Sequence, residues 1–198
     1  MGYEQEAAGC GIFSGRSAPS GYLSQEGVCV SIIGMAAAGK TTLGREMAKL
    51  LDWPFVDTDH LIESAYGVRL QTIADALSKD DFLDMEAAMI KSLRLRRCVV
   101  STGGSVVYRP EAVASLASMG PLLYINVPLS TILERIARKP DRGLAIAAGQ
   151  TIDDLYNERR LLYEAAATIT INGGEEPAQA YARHAVDLLL GRRSPLEG

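Results

Sequence analysis

Long apolar runs, aromatic side chains and histidines are all scarce in this chain, and each scarcity closes off a class of protein. Only 6% of the 198 residues are aromatic and only two are histidine. No apolar stretch has the length that a bilayer crossing requires, so no membrane role is expected. Three cysteines, Cys10, Cys29 and Cys98, show neither metal-ligand spacing nor the pattern of a disulfide framework. They are expected to be reduced thiols. Acidic residues outnumber basic ones, 24 against 20, and the basic ones are dispersed, which argues against a nucleic-acid footprint. The expected partners are small molecules.

Residues 1–27, "MGYEQEAAGCGIFSGRSAPSGYLSQEG", are rich in Gly, Ser and Ala and lack the apolar block of a signal peptide. The myristoylation pattern fails at Glu6. This stretch is expected to be a loose tail, and the protein to be cytoplasmic.

What is present is an ordinary globular composition with 47% hydrophobic residues. It predicts one domain over 28–192, followed by a short C-terminal tail at 193–198. "VCVSII", "FVDTD", "CVVST", "LLYINV" and "TITIN" are five strand candidates, rich in β-branched residues and each followed by a polar or glycine-bearing turn. Helix candidates lie between and after them at 40–51, 80–97, 109–118, 130–139, 152–166 and 177–190. Pro110 suits a first helical turn, and Thr131 with Glu134 fits a capping box. The alternation predicts an α/β fold: a five-stranded parallel sheet with helices on both faces.

Ligands of such sheets bind at the carboxyl ends of the strands. There "GMAAAGKT", residues 34–41, satisfies G-x-x-x-x-G-K-[ST] between a strand and a helix. Small residues let the backbone curl so that several N–H groups face one point, and the new helix adds its positive end. Gly34, Met35, Ala36, Ala37, Ala38, Gly39, Lys40, Thr41 and Thr42 are therefore the candidate phosphate cradle for ATP. Lys40 is expected to reach the β- and γ-phosphates, and the Thr41 hydroxyl to ligate Mg²⁺.

Asp57 and Asp59 alternate at an apparent strand end, so their side chains are expected to point opposite ways and to hold different jobs. One carboxylate can hold Mg²⁺ through water while the other orients or deprotonates an acceptor hydroxyl; a solvated turn with one aspartate capping the next helix is the plainer alternative. Gly103 and Gly104 after the third strand allow close approach of backbone to a ligand, or serve only as turn glycines. Read alone, Arg138, Arg159 and Arg160 fit solvated helix faces.

Together "GMAAAGKT", "DTD", "FLDME", "STGGS", "RKPDRGL" and "RRLLY" resemble the shikimate kinase family from about Val28 to about Leu190. The resemblance implies a three-layer P-loop kinase fold with a short lid at about 138–150, acting as a monomer on ATP and Mg²⁺. It implies that Lys40 and Thr41 serve ATP and the metal, and that Asp57 supports the metal. Asp59 would bind the acceptor and take its proton, the Gly103–Gly104 backbone would contact acceptor and γ-phosphate, and Arg159 would bind the acceptor's carboxylate. Arg142 would come from the lid to the transferring phosphoryl group, and Arg135 would lie near the adenine.

The departures fall mostly on the acceptor side. The arginine of the family's F-R-x-x-E is Leu83 here, the third glycine of its Gly-Gly-Gly is Ser105, the inner P-loop glycine is Ala37, and the lid proline is Gly143. Losing a charge-assisted contact costs roughly 1.5–3 kcal/mol, a handicap for shikimate. Alternatively Leu83 belongs to a core stripe with Ala87 and Ile90. One arginine, one aspartate and a leucine suit a small zwitterionic amino alcohol, and homoserine is the leading expectation for the hydroxylated carboxylate acceptor. Shikimate is the alternative. Gluconate, glycerate or another hydroxy acid, a nucleoside monophosphate, and a sensor that binds ATP without transfer complete the set.

Overall fold

The structure, a computed structural model, describes residues 22–24, 27–138, 149–174 and 176–192. Val30–Ile33 (β1) is buried at every position, as an unbroken apolar run in a central parallel strand should be. Phe55–Asp57 (β2), Val99–Ser101 (β3), Leu122–Asn126 (β4) and Ile169–Asn172 (β5) complete a five-stranded sheet in the order β2-β3-β1-β4-β5, all pairs parallel. The outer strands β2 and β5 alternate more exposed positions, in keeping with their place at the edges.

Lys40–Leu51 (α1) follows β1. Thr58–Tyr66 (α2), Leu70–Ala76 (α3) and Lys79–Ser92 (α4) lie between β2 and β3, Pro110–Met119 (α5) between β3 and β4, Leu129–Ala137 (α6) and Ile152–Ala166 (α7) between β4 and β5, and Ala178–Leu189 (α8) after β5. The helices flank the sheet, with α8 against α1 and α5 against α4. The main core includes Ile32, Ile33, Leu43, Met47, Leu123 and Tyr124, drawn from β1, α1 and β4. A separate cluster of Ile62, Ile73 and Phe82 ties α2, α3 and α4 together.

Pro110 occupies the first turn of α5 as expected. The capping box does not form where it was expected: α6 starts at Leu129 after Pro128, which leaves Thr131 inside the first turn with no side-chain cap. The box forms instead at α7, where the Thr151 hydroxyl accepts from the Asp154 amide and the Asp154 carboxylate accepts from the Thr151 amide. The helix expected over 80–97 ends at Ser92, because Leu95 leaves the helix to pack beside Cys29, Cys98 and Val100. Cys29 and Cys98 are buried free thiols, as expected. Within the stretch expected to be a loose tail, Tyr22–Ser24 form a 3-10 turn, and Tyr22 and Leu23 pack on the core. No helix among the described residues is long and apolar enough to cross a membrane.

Candidate active site

The turn between β1 and α1 wraps around the side chain of Lys40. Gly34 and Gly39 both take positive φ, 147° and 99°, which L side chains adopt only with strain. Lys40, the first residue of α1, is 8% exposed, and its Nζ donates to the carbonyls of Gly34 and Met35 at 2.8 Å each. Arg135 braces the outer side of this loop from α6: Nη1 donates to Ala38 O at 2.9 Å and Nη2 to Gly174 O at 3.0 Å. Thr42 is exposed at the start of α1.

The Thr41 hydroxyl donates to Asp57 Oδ2 at 2.8 Å, while Asp57 Oδ1 accepts the Asp59 amide at 3.1 Å and caps α2. Asp57 and Asp59 do have different surroundings, but alternation along a strand is not the reason. Residues two apart on a strand share a face; here the strand stops at Asp57 and Asp59 already belongs to the first turn of α2. The buried Asp59 Oδ1 has no hydrogen-bond partner among the described residues. Burial pushes the Asp59 carboxyl above its ordinary range, with Lys40 pulling it down and Asp57 pushing it further up.

Gly103 and Gly104 lie where three elements converge. A Cβ on Gly103 would collide with Glu86 Oε1 and stand 3.0 Å from Asp59 Oδ1. A Cβ on Gly104 would stand 3.2 Å from the Ala36 amide nitrogen and 3.2 Å from Arg159 Nη1. The two glycines thus let Glu86, Asp59, the Ala36 amide and Arg159 close in on the backbone after β3.

Arg159, on α7, is 2% exposed, which overturns the solvated-face alternative for this residue. Its Nε donates to the Tyr108 hydroxyl at 3.3 Å, and its guanidinium lies 5.1 Å from the centre of the Tyr108 ring. Arg160 does occupy the surface, paired with Glu164 at 2.9 Å, as does Arg138 with Glu134 at 3.7 Å. Leu83 is 4% exposed on α4. Leu83, Ala87 and Ile90 are all buried on α4, in keeping with the alternative in which Leu83 belongs to the core stripe. Arg142 and most of the expected lid lie outside the described residues.

Glu86, Tyr108 and Tyr163 received no role from sequence. Glu86 is buried, accepts a hydrogen bond from Ser105, and burial raises its carboxyl to about 7. Its signal was its spacing: it stands three residues after Leu83 in "FLDME", which places the two on one helix face. Tyr163 donates its hydroxyl to the Gly104 carbonyl and stacks on Tyr124 with ring centres 5.2 Å apart. No sequence signal marked Tyr108, because its position against Arg159 exists only once α7 has docked.

A sequence model described as shikimate kinase matches residues 36–190. The chain belongs to the shikimate kinase family. A shikimate kinase of Aromatoleum aromaticum is 38% identical over 148 residues, covering 73% of this chain and 85% of that protein. Another, of Neisseria meningitidis serogroup C, is 37% identical over 166 residues, covering 82% and 94%. Among solved structures, shikimate kinase from Acinetobacter baumannii in complex with shikimate superposes with a TM-score of 0.76 at 28% identity, covering 83% of this chain and 93% of that one. As a shikimate kinase family member the chain is an ATP-dependent enzyme that transfers a phosphoryl group to a hydroxyl, with ATP and Mg²⁺ as cofactors. The residues fit these groups: an amide of the turn and the buried Arg159 guanidinium converge on Gly104, and Thr41 with Asp57 offers the hard oxygens that Mg²⁺ prefers.

Proposed function

We propose that this enzyme moves the γ-phosphoryl group of ATP to a hydroxyl of shikimate. The single observation that supports the phosphotransfer geometry is the convergence of the Ala36 amide and the Arg159 guanidinium on Gly104. The choice of shikimate is supported by the names of relatives up to 38% identical over most of the chain.

In this reading the backbone amides of the turn and the α1 N-terminus bind the phosphates, and Lys40 leaves its carbonyl contacts to neutralise them. Arg135 holds the turn in shape near the nucleoside end. Thr41 and Asp57 hold Mg²⁺, which offsets the negative charge of the transferring group. Arg159 receives the acceptor's carboxylate, and the Gly103–Gly104 backbone lets acceptor and phosphate approach each other. Asp59 Oδ1, without a partner among the described residues, accepts the acceptor hydroxyl. As the oxygen of that hydroxyl bonds to phosphorus its proton passes to Asp59, and the electron pair of the broken P–O bond leaves with ADP. Arg142 from the lid adds a further cation. In this reading the enzyme is a monomer of the cytoplasm.

A second reading, an amino alcohol such as homoserine, is favoured by one specific feature. Where the family motif has arginine this chain has the buried Leu83, while the acids Asp59 and Glu86 stand together beside Gly103. That combination suits an acceptor with an ammonium group and a single carboxylate. The experiment is ADP release with Mg²⁺ and ATP in the presence of shikimate, L-homoserine, or no acceptor. Stimulation by shikimate supports the first reading, stimulation by homoserine alone transfers the conclusion to the second, and no stimulation by either rejects both acceptors.

A further inference from the structure

Ser105 and Glu86 are each 5% exposed, and the Ser105 hydroxyl donates to Glu86 Oε2. The other carboxylate oxygen, Oε1, occupies the place a Gly103 side chain would take, next to Asp59. Glu86 therefore reaches from α4 to the Gly103 backbone, beside Asp59. Three residues earlier on the same helix is Leu83, and residues at that spacing are neighbours. The motif F-R-x-x-E puts an arginine in that neighbouring position, where it can satisfy the glutamate; leucine has no donor to offer. A buried carboxyl left without a donor is costly. The donor comes instead from across the cleft, from a serine at the third position of a motif whose usual glycine has no side chain.

We propose that Ser105 is a specificity-determining residue, its hydroxyl anchoring Glu86 in place of a donor at position 83, so that Leu83 and Ser105 act as one coupled pair in acceptor choice. The pair acts through the pocket's charge. Lys40 and Arg159 are the cations that act on Glu86, and Asp59 is the facing acid. With serine as the donor, the carboxyl is satisfied without adding a cation to the acceptor side. With arginine as the donor, the same carboxyl is satisfied by a group that also presents positive charge to the acceptor. Changing only one member either adds a second donor to the Glu86 carboxyl or removes the Ser105 donor.

The activity side of this inference rests on the phosphotransfer reading above; the structural side does not, and the experiment separates them. Wild type, Leu83→Arg, Ser105→Gly and the double variant are compared for kcat/KM with shikimate and with L-homoserine. The change in the shikimate-to-homoserine ratio in the double variant is expected to exceed the product of the single changes by about tenfold, a coupling typical of contacting groups. A ratio equal to that product overturns the pair's role in specificity. In parallel, carbon-13 NMR follows the Glu86 carboxyl through a pH titration, with Glu86→Gln assigning the signal. The midpoint is expected to rise in Ser105→Gly, to stay near wild type in Ser105→Thr, and to fall when Leu83→Arg is added to Ser105→Gly. An unmoved midpoint in Ser105→Gly overturns the anchoring itself. If none of the proteins turns over either acceptor, the acceptor reading and the specificity role fall together, while the titration still decides the anchor.

Discussion

Arg159 is held by Tyr108: the guanidinium lies 5.1 Å from the ring centre, and Nε donates to the phenol oxygen at 3.3 Å. Because the two residues come from α7 and from the turn after β3, this contact fixes the direction in which a buried cation faces the cleft. Tyr108→Ala should raise KM for the responding acceptor by about 5- to 30-fold, the equivalent of a desolvated cation–π contact of roughly 1–2 kcal/mol. Tyr108→Phe retains the ring and should recover most of the loss. Steady-state kinetics check this: a positioning role leaves KM for ATP unchanged, whereas a general folding defect moves both constants.

The hydrogen bond from Thr41 to Asp57 separates two functions of one carboxylate. Asp57 Oδ1 caps α2 and Oδ2 receives the Thr41 hydroxyl. Asparagine is as good a helix N-cap as aspartate, so Asp57→Asn should leave the melting temperature close to wild type. It should nevertheless raise the Mg²⁺ concentration for half-maximal activity by about 10- to 100-fold, the usual effect of losing an outer partner of a metal site. Mg²⁺ titrations of activity alongside thermal melts test the separation. A parallel fall in stability would assign Asp57 to the fold alone.

The legible parts of this protein are those in which neighbouring residues determine the structure. β1, the glycine-bearing turn and α1 follow from a continuous stretch, and Lys40 and Thr41 fall where that stretch puts them. From sequence α2 is foreseen only as a helix that Asp57 or Asp59 would cap, without bounds, and α3 is missed, because both are short and are held by the Ile62–Ile73–Phe82 cluster, which needs Phe82 from α4. A local pattern cannot show such a contact. For the same reason Arg159 reads as a surface residue in isolation, although Tyr108, 51 positions away, holds it inside. The Glu86–Ser105 bond joins residues 19 apart across the cleft. Position 83 could be recognised as a departure from the family motif; the partner that compensates for it could not.

Glu86 should make stability depend on pH. Burial lifts its carboxyl from 4.5 to about 7 in the folded protein, so the folded state holds the proton more tightly than the unfolded chain. Its favourable effect is complete below about pH 4.5 and is lost as pH rises towards about 7, a change on the order of 3 kcal/mol. Glu86→Gln has no such proton to lose. The difference in unfolding free energy between wild type and Glu86→Gln, measured by urea denaturation at pH 5 and pH 8, should move against wild type at the higher pH. A constant difference would mean that Glu86 ionises without cost.

Ala37 carries a positive φ of 63°, at the position where the family's turn has an inner glycine. An L side chain pays roughly 1–2 kcal/mol for that conformation, partly offset by the greater freedom that glycine gives the unfolded chain. Ala37→Gly is expected to be stabilising by up to about 1 kcal/mol. Ala37→Val should be destabilising, because a β-branched residue fits this region worse. Chemical denaturation of both variants checks the sign; equal stability across all three would place no strain at the turn.

Asp59 should decide whether the cleft performs chemistry or only holds nucleotide. Its Oδ1 is buried without a partner among the described residues, and burial holds the carboxyl above its ordinary range against the pull of Lys40. Asp59→Asn preserves shape and hydrogen-bonding reach but cannot take a proton. It should reduce kcat by about 10²- to 10⁴-fold, the range for loss of general-base assistance, while ATP binding measured by calorimetry stays near wild type. The pH profile adds a second constraint. In wild type, kcat/KM for the acceptor should rise with pH through the elevated Asp59 titration, because only the ionised carboxylate accepts the hydroxyl proton; in Asp59→Asn that limb should disappear. A variant that keeps both the wild-type rate and the acid limb would remove Asp59 from the proton transfer, leaving Lys40 and the P-loop amides to account for catalysis by electrostatics alone.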